Sequence, residues 1–331
     1  MMTMAKGTEA LTTSSSSKSK VNLHAFTRTV TGYKKQLRNK VCEDAVLLKR
    51  VKDGVICAVA DGHGDPKCRY ANIGARLAVE TACEVLRAVY DGSPSTKALE
   101  NNCADNREAI IKEIIMRWNA KVFGDFLDKP EGEEYAEIGL DFLSYIDEIF
   151  STPSHKMSIV ETKAYYERRD KYEELLHKAA LLYGTTLNAV LSTDKFLFCI
   201  GIGDGDIVAV QGKKMHWLLP AGEQFSTRTE SLCWKPNKAF DAFKTVAIKK
   251  SKSKKSKSYM ETGVNPDFIL ISTDGLRNSF LDDEDFMEKI IAINNEVGTG
   301  YSKFQRNSQK WIGQKTKDSL YQDDITFGFI Y

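Results

Sequence analysis

Acidic residues stand at the ends of short apolar segments along this chain, and that recurrence restricts the fold more than any other feature. Glu43-Asp44 precedes the segment Ala45–Lys49, and Asp61 follows Val55–Ala60. Asp204 follows Phe196–Ile202, Asp274 follows Phe268–Ser272, and Asp323-Asp324 leads into Ile325–Ile330. One Asp-Gly pair is an ordinary turn signal. Five acidic sites at the mouths of five strand-like segments point to one shared cleft, provided the sheets bring those ends together. Carboxylates crowded in one cleft raise each other's pKa, and divalent cations relieve that load. Oxygen ligands without a Cys/His set select hard ions such as magnesium or manganese over zinc.

Phe26–Thr31, Thr185–Leu191 and Ile207–Val210 complete the strand-like set. These segments are rich in β-branched or aromatic residues, and most end at Gly, Asp or Ser. Many have a neighbour close in sequence, which favours antiparallel pairing over βαβ units. The middle of the chain changes period. Ile73, Leu77, Val85 and Val89 fall on one helical face, with Ala82 and Leu86 beside them. Ile110, Ile114, Trp118 and Val122 recur every fourth residue, and a third pattern runs from Lys163 to Leu182. Strands, then helices, then strands predict an α+β fold with helices packed on sheet faces. Trp118, Phe123 and Phe126 are expected in the core.

Composition excludes several classes. The 331 residues are 42% hydrophobic and 28% charged, enough for a substantial core. A net charge of +2 makes no global case for a nucleic-acid partner. No stretch nears the roughly 18 apolar residues of a membrane helix. The seven cysteines are odd in number and form no CxxC, so they read as reduced thiols in a cytoplasmic protein. Residues 1–20, rich in Ser, Thr and Lys, read as a disordered tail. Residues 21–331 read as a single domain with a helical insertion at about 91–182. The stretch 249–258, KKSKSKKSKS, reads as a solvated loop or as an anion-attracting flap.

Six motifs in order carry a resemblance. They are Cys42-Glu43-Asp44, Val59-Ala60-Asp61-Gly62-His63-Gly64, Tyr183-Gly184-Thr185-Thr186, Gly203-Asp204-Gly205-Asp206, Ser272-Thr273-Asp274-Gly275 and Gln322-Asp323-Asp324-Ile325-Thr326. Together they resemble the type 2C metal-dependent serine/threonine protein phosphatases, from about residue 32 to the end. The resemblance implies a four-layer αββα sandwich of two antiparallel sheets flanked by helices. It implies removal of phosphate from phosphoserine and phosphothreonine in proteins, by direct attack of a hydroxide activated by two Mg2+ or Mn2+ ions. Asp61 would bridge both ions. Glu43 and the Gly62 carbonyl would complete one, and Asp274 and Asp323 the other. Asp44 would bond ion-bound water, and His63 would be the general acid. The implied partner is a phosphorylated protein, met by a monomer without membrane attachment.

The chain also departs from the family pattern. The basic residue that binds phosphate upstream of Glu43 corresponds to Lys35 or Arg38, and the residues leave that choice open. Asn278 stands where a further Asp is common, so a third ion shared with Asp204 would bind more weakly. An alternative function is a regulatory or binding module with little turnover. A dinucleotide site around Gly201-Ile202-Gly203 lacks the third glycine and the following helix.

Overall fold

The computed structural model describes residues 23–138, 150, 157–219, 229–250 and 266–331. The N-terminal tail and residues 251–258 of the lysine-rich stretch lie outside the described residues. In chain order the elements are β1 (Ala25–Val30), α1 (Tyr33–Leu37), β2 (Ala45–Val51), β3 (Gly54–Ala60), α2 (Ala71–Asp91), α3 (Thr96–Asp105), α4 (Arg107–Leu127) and α5 (Ile159–Leu182). Then come β4 (Leu187–Thr193), β5 (Phe196–Ile202), β6 (Asp206–Gln211), β7 (Lys214–Trp217), α6 (Pro236–Ala242), β8 (Lys244–Lys249), β9 (Phe268–Ser272), α7 (Asp274–Arg277), α8 (Asp283–Asp318) and β10 (Ile325–Ile330).

The strands form two five-stranded sheets, ordered β1-β10-β9-β6-β7 and β2-β3-β4-β5-β8, and every pairing is antiparallel. Side chains alternate between faces along a strand, and β3 shows the consequence. Val55, Cys57 and Val59 pack between the sheets against Ile207, Ile269 and Ile271. Ile56, Ala58 and Ala60 face the other way, into the cluster of Leu86, Ile114, Trp118 and Leu176 from α2, α4 and α5. On the outer face of the first sheet, Val208, Phe268, Phe327 and Phe329 meet Phe286, Ile290, Ile293 and Val297 of α8. The result is the four-layer αββα sandwich. Both faces of each sheet are covered, which explains why central strands read as unbroken apolar runs.

Trp118, Phe123 and Phe126 are fully buried, as expected. The α5 helix starts on a capping box: Glu161 N–H donates to Ser158 Oγ and Ser158 N–H to Glu161 Oε2. The structure adds an element the sequence reading lacked. The α8 helix, interrupted at Gly300, covers one whole face. Its spacing Phe286, Ile290, Ile293, Val297 is a legible helical stripe. The reading of 249–258 as a loop also shifts at its start. Lys249 closes β8, and Lys250 Nζ turns inward to Ser192 Oγ (2.8 Å) and the Thr193 carbonyl (2.9 Å).

Candidate active site

Strand register alone brings the acidic residues to one end of the sandwich. Ala45 pairs with Ala60, so Glu43 and Asp44 before β2 come beside Asp61 after β3. Ser272 pairs with both Asp206 and Phe327. Asp274 just beyond β9, Asp204 just before β6 and Asp323 just before β10 therefore share one edge of the other sheet. The β5–β6 connection crosses between sheets at Gly203-Asp204-Gly205. Gly203 has φ +111°, and a Cβ there would fall 2.6 Å from Thr186 Cβ, so only glycine suits the crossing.

Asp61 is held through its backbone. Its N–H donates to Thr186 Oγ1 (3.0 Å), and its carbonyl accepts from Thr186 N–H (2.9 Å) and Thr185 Oγ1 (2.8 Å). Gly62 forms a β-bridge with Thr185 and threads between the Glu43 and Ala71 carbonyls, where a Cβ would lie 2.6 and 2.9 Å away. Thr273 Oγ1 donates to Asp44 Oδ2 (2.8 Å), and Asn278 Nδ2 to Asp274 Oδ2 (2.9 Å). Thr229 Oγ1 donates to Asp204 Oδ2 (3.0 Å). Asp323 Oδ1 accepts the Asp324 N–H (2.8 Å), and its side chain is half exposed.

The gathered carboxylates load one another. Burial, then Asp44 and Asp274, push Asp61 well above the usual carboxylate range. Asp44 is pushed up to about 8 by burial and by Asp324. Asp274 rises to about 6 through burial and Asp204, while a hydrogen bond with Asp61 holds it back. Asp206 is buried, and neither of its oxygens accepts a hydrogen bond from the described residues. Burial raises it to about 7, with Arg277 pulling the other way. His63 sits at the rim, its backbone N–H donating to the Gly184 carbonyl (2.9 Å) and its ring Nε2 meeting Ser231 Oγ (2.8 Å). Burial lowers its pKa, and Asp204 and Asp65 oppose that.

The two candidate cations separate here. Lys35 Nζ lies 2.6 Å from Glu43 Oε2, 2.7 Å from Asp324 Oδ2 and 3.9 Å from Asp323 Oδ1. Burial draws its pKa down, but the bonds to Asp324 and Glu43 outweigh that and raise it. Arg38 is exposed and lies outside this network. Asp324 is the organising group that sequence reasoning passed over in favour of its neighbour Asp323. Buried, it accepts from Lys35 and from the Gly32 (2.7 Å) and Glu43 (2.8 Å) backbone N–H groups. Its place in an Asp-Asp pair was the available signal. Ser231 carried none, since nothing local marks a serine as a partner of a distant histidine.

The donors are all oxygen and carry like charge that Lys35 offsets only at Glu43, Asp323 and Asp324, which suits hard divalent cations. Among the described residues, however, no three His, Cys, Asp or Glu side chains are grouped so as to hold one ion. The carboxylates are gathered but paired off, Asp61 with Asp274 and Glu43 with Lys35. Glu43 can serve an ion only if the Lys35 pair opens.

Comparison with known proteins agrees with this architecture. The family model for protein phosphatase 2C matches residues 31–306. No curated protein matches the chain. The serine/threonine phosphatase Stp1 from Staphylococcus aureus is similar at TM-score 0.51 and 13% identity, over 93% of this chain and 94% of its own. A bacterial serine phosphatase is similar at TM-score 0.51 and 13% identity, over 93% of this chain and 97% of that one. At such identities the structural likeness speaks for the fold, and the family match over most of the length speaks for descent. This chain belongs to the protein phosphatase 2C family.

Proposed function

We propose that this phosphatase-family chain hydrolyses phosphoserine and phosphothreonine in proteins and depends on two Mg2+ or Mn2+ ions. The observation that carries the reading is the convergence of Asp44, Asp61, Asp204, Asp274 and Asp323 from five separate strand ends, with Asp44, Asp61 and Asp274 pushed up by burial first and by neighbouring carboxylates after it. Asp61, Glu43, the Gly62 carbonyl, Asp274 and Asp323 would hold the ions, with Asp204 and Asn278 at a weaker third position. When bound, the ions supply an acidified water and neutralise charge on the phosphoryl group. The chain's own residues do the rest. Lys35, rather than Arg38, draws the phosphate dianion towards the carboxylate edge. Asp44, braced by Thr273, accepts a hydrogen bond from attacking water. His63 gives its proton to the departing seryl or threonyl oxygen. Seven free cysteines support a reducing, cytoplasmic setting, and among the described residues no helix is long and apolar enough to cross a membrane.

The test is hydrolysis of p-nitrophenyl phosphate and a phosphothreonine peptide with manganese, magnesium or EDTA. Turnover that requires metal and vanishes in Asp61→Asn supports the reading. One observation favours the alternative of a regulatory module with weak turnover, the Lys35–Glu43 ion pair, which competes for a proposed ligand. Absence of turnover with every metal decides for that alternative.

A further inference from the structure

Ser231 lies 168 residues from His63 in sequence, yet its buried hydroxyl meets the ring at 2.8 Å. The same oxygen is 2.9 Å from the Thr185 carbonyl and 3.2 Å from the Cys233 N–H. A hydroxyl has one proton to give and two lone pairs. The carbonyl only accepts, so the proton goes to Thr185. The Cys233 N–H fills one lone pair. The other faces His63 Nε2, which must then carry a hydrogen. In the opposite tautomer, Nε2 and the Thr185 oxygen would compete for a single proton, leaving two acceptors facing each other in the interior. Cys233 Sγ, 3.1 Å away, is too weak an acceptor to displace the carbonyl.

The ring is fixed along one edge. A Cβ on Gly184 would fall 2.6 Å from His63 Cδ2, so the Cδ2 side packs against that glycine. The Nε2–Cδ2 edge is turned into the protein, and Nδ1 makes no hydrogen bond among the described residues. We propose that Ser231 is a positioning residue that holds His63 in its Nε2–H form, so that Nδ1 is the atom facing the leaving oxygen. This rests on the reading of His63 as general acid. The acid is the imidazolium, whose second proton sits on Nδ1; as the P–O bond to the leaving group breaks, its electron pair stays on the seryl or threonyl oxygen, which takes that Nδ1 proton. The ring is left in the Nε2–H form that Ser231 already accepts. Two residues earlier, Thr229 holds Asp204, so one short segment touches both groups.

The experiment pairs two readouts on full-length protein. Imidazole 15N NMR at mildly alkaline pH, with His63 assigned through His63→Gln, should show the Nε2–H tautomer in the native protein and a mixture in Ser231→Ala. Kinetics should show about a tenfold or greater loss of kcat on a phosphothreonine peptide in Ser231→Ala, and less than about threefold on p-nitrophenyl phosphate, whose good leaving group needs little acid help. Ser231→Thr, which keeps the hydroxyl, should restore the peptide rate. An Nδ1–H tautomer in the native protein overturns the proposal, whatever the variants do. So does equal loss on both substrates in Ser231→Ala when His63→Gln discriminates between them. If His63→Gln itself slows both substrates equally, the general-acid reading falls, and the proposal with it.

Discussion

Lys35 Nζ bonds Asp324 Oδ2 at 2.7 Å across 289 residues of sequence, tying the short helix α1 to the start of β10. Three donors converge on that one buried carboxylate. The contact therefore sets the shape of the loop that carries Glu43 as well as the position of a cation.

Asp324→Ala removes the acceptor of the Gly32 and Glu43 N–H groups and the buried partner of Lys35. Breaking a buried, hydrogen-bonded ion pair from one side costs about 3–5 kcal/mol. Chemical denaturation should show a loss in that range. A change under about 1 kcal/mol would mean that water replaces the carboxylate without penalty.

Lys35→Ala and Arg38→Ala should behave differently. Lys35→Ala should lower kcat/KM for a phosphopeptide by about tenfold or more, the scale of one charge-assisted phosphate contact. Arg38→Ala should stay within about twofold, as for a surface charge. Lys35→Ala should also tighten manganese binding measured by calorimetry, because Glu43 loses its competing partner.

Stability should depend on pH in an unusual direction when metal is withheld. Asp44, Asp206 and Asp274 sit at about 8, 7 and 6 in the folded chain. In the unfolded chain each titrates near the ordinary value of about 4. Between those limits the folded state binds more protons, so stability falls as pH rises from about 4 to about 8. Thermal melts in EDTA should shift downwards across that window. Added manganese should offset the loss, most at the alkaline end. Melts that rise with pH in EDTA would contradict the burial and mutual loading of these carboxylates.

Arg277 and Asp206 should be coupled. Arg277 Nη1 lies 3.7 Å from buried Asp206, while its other nitrogens clasp Asp283 at 2.6 and 2.7 Å and its guanidinium covers the Trp217 ring. Arg277→Ala removes the one opposing charge that faces Asp206 among the described residues and should destabilise by about 2–4 kcal/mol. Asp206→Asn in that background should recover part of the loss, a coupling measurable by a double-mutant cycle. Strict additivity would deny the interaction.

Much of the layered fold was legible because burial on both faces imposes it locally. Phe196–Ile202 and Phe268–Ser272 were read with their observed limits, since a strand covered on both sides is apolar throughout. Residues Thr185–Leu191 were read two positions early. Thr185 and Thr186 have strand-like side chains but spend their hydrogen bonds on Asp61. The strands β7 and β8 escaped notice because Lys214–Trp217 and Lys244–Lys249 are partly exposed and carry lysine at their ends.

The sequence by itself determined the element types, the α+β class and the placing of carboxylates at strand ends, because side-chain period and turn chemistry act over a few residues; the two-sheet sandwich was implied only by the resemblance of the ordered motifs. Only the tertiary structure decided that Lys35 and not Arg38 enters the acidic edge, that Asp324 organises it, and that Ser231 meets His63. Those choices depend on strand register and on chain segments hundreds of residues apart, where a shift of one residue turns a side chain to the opposite face.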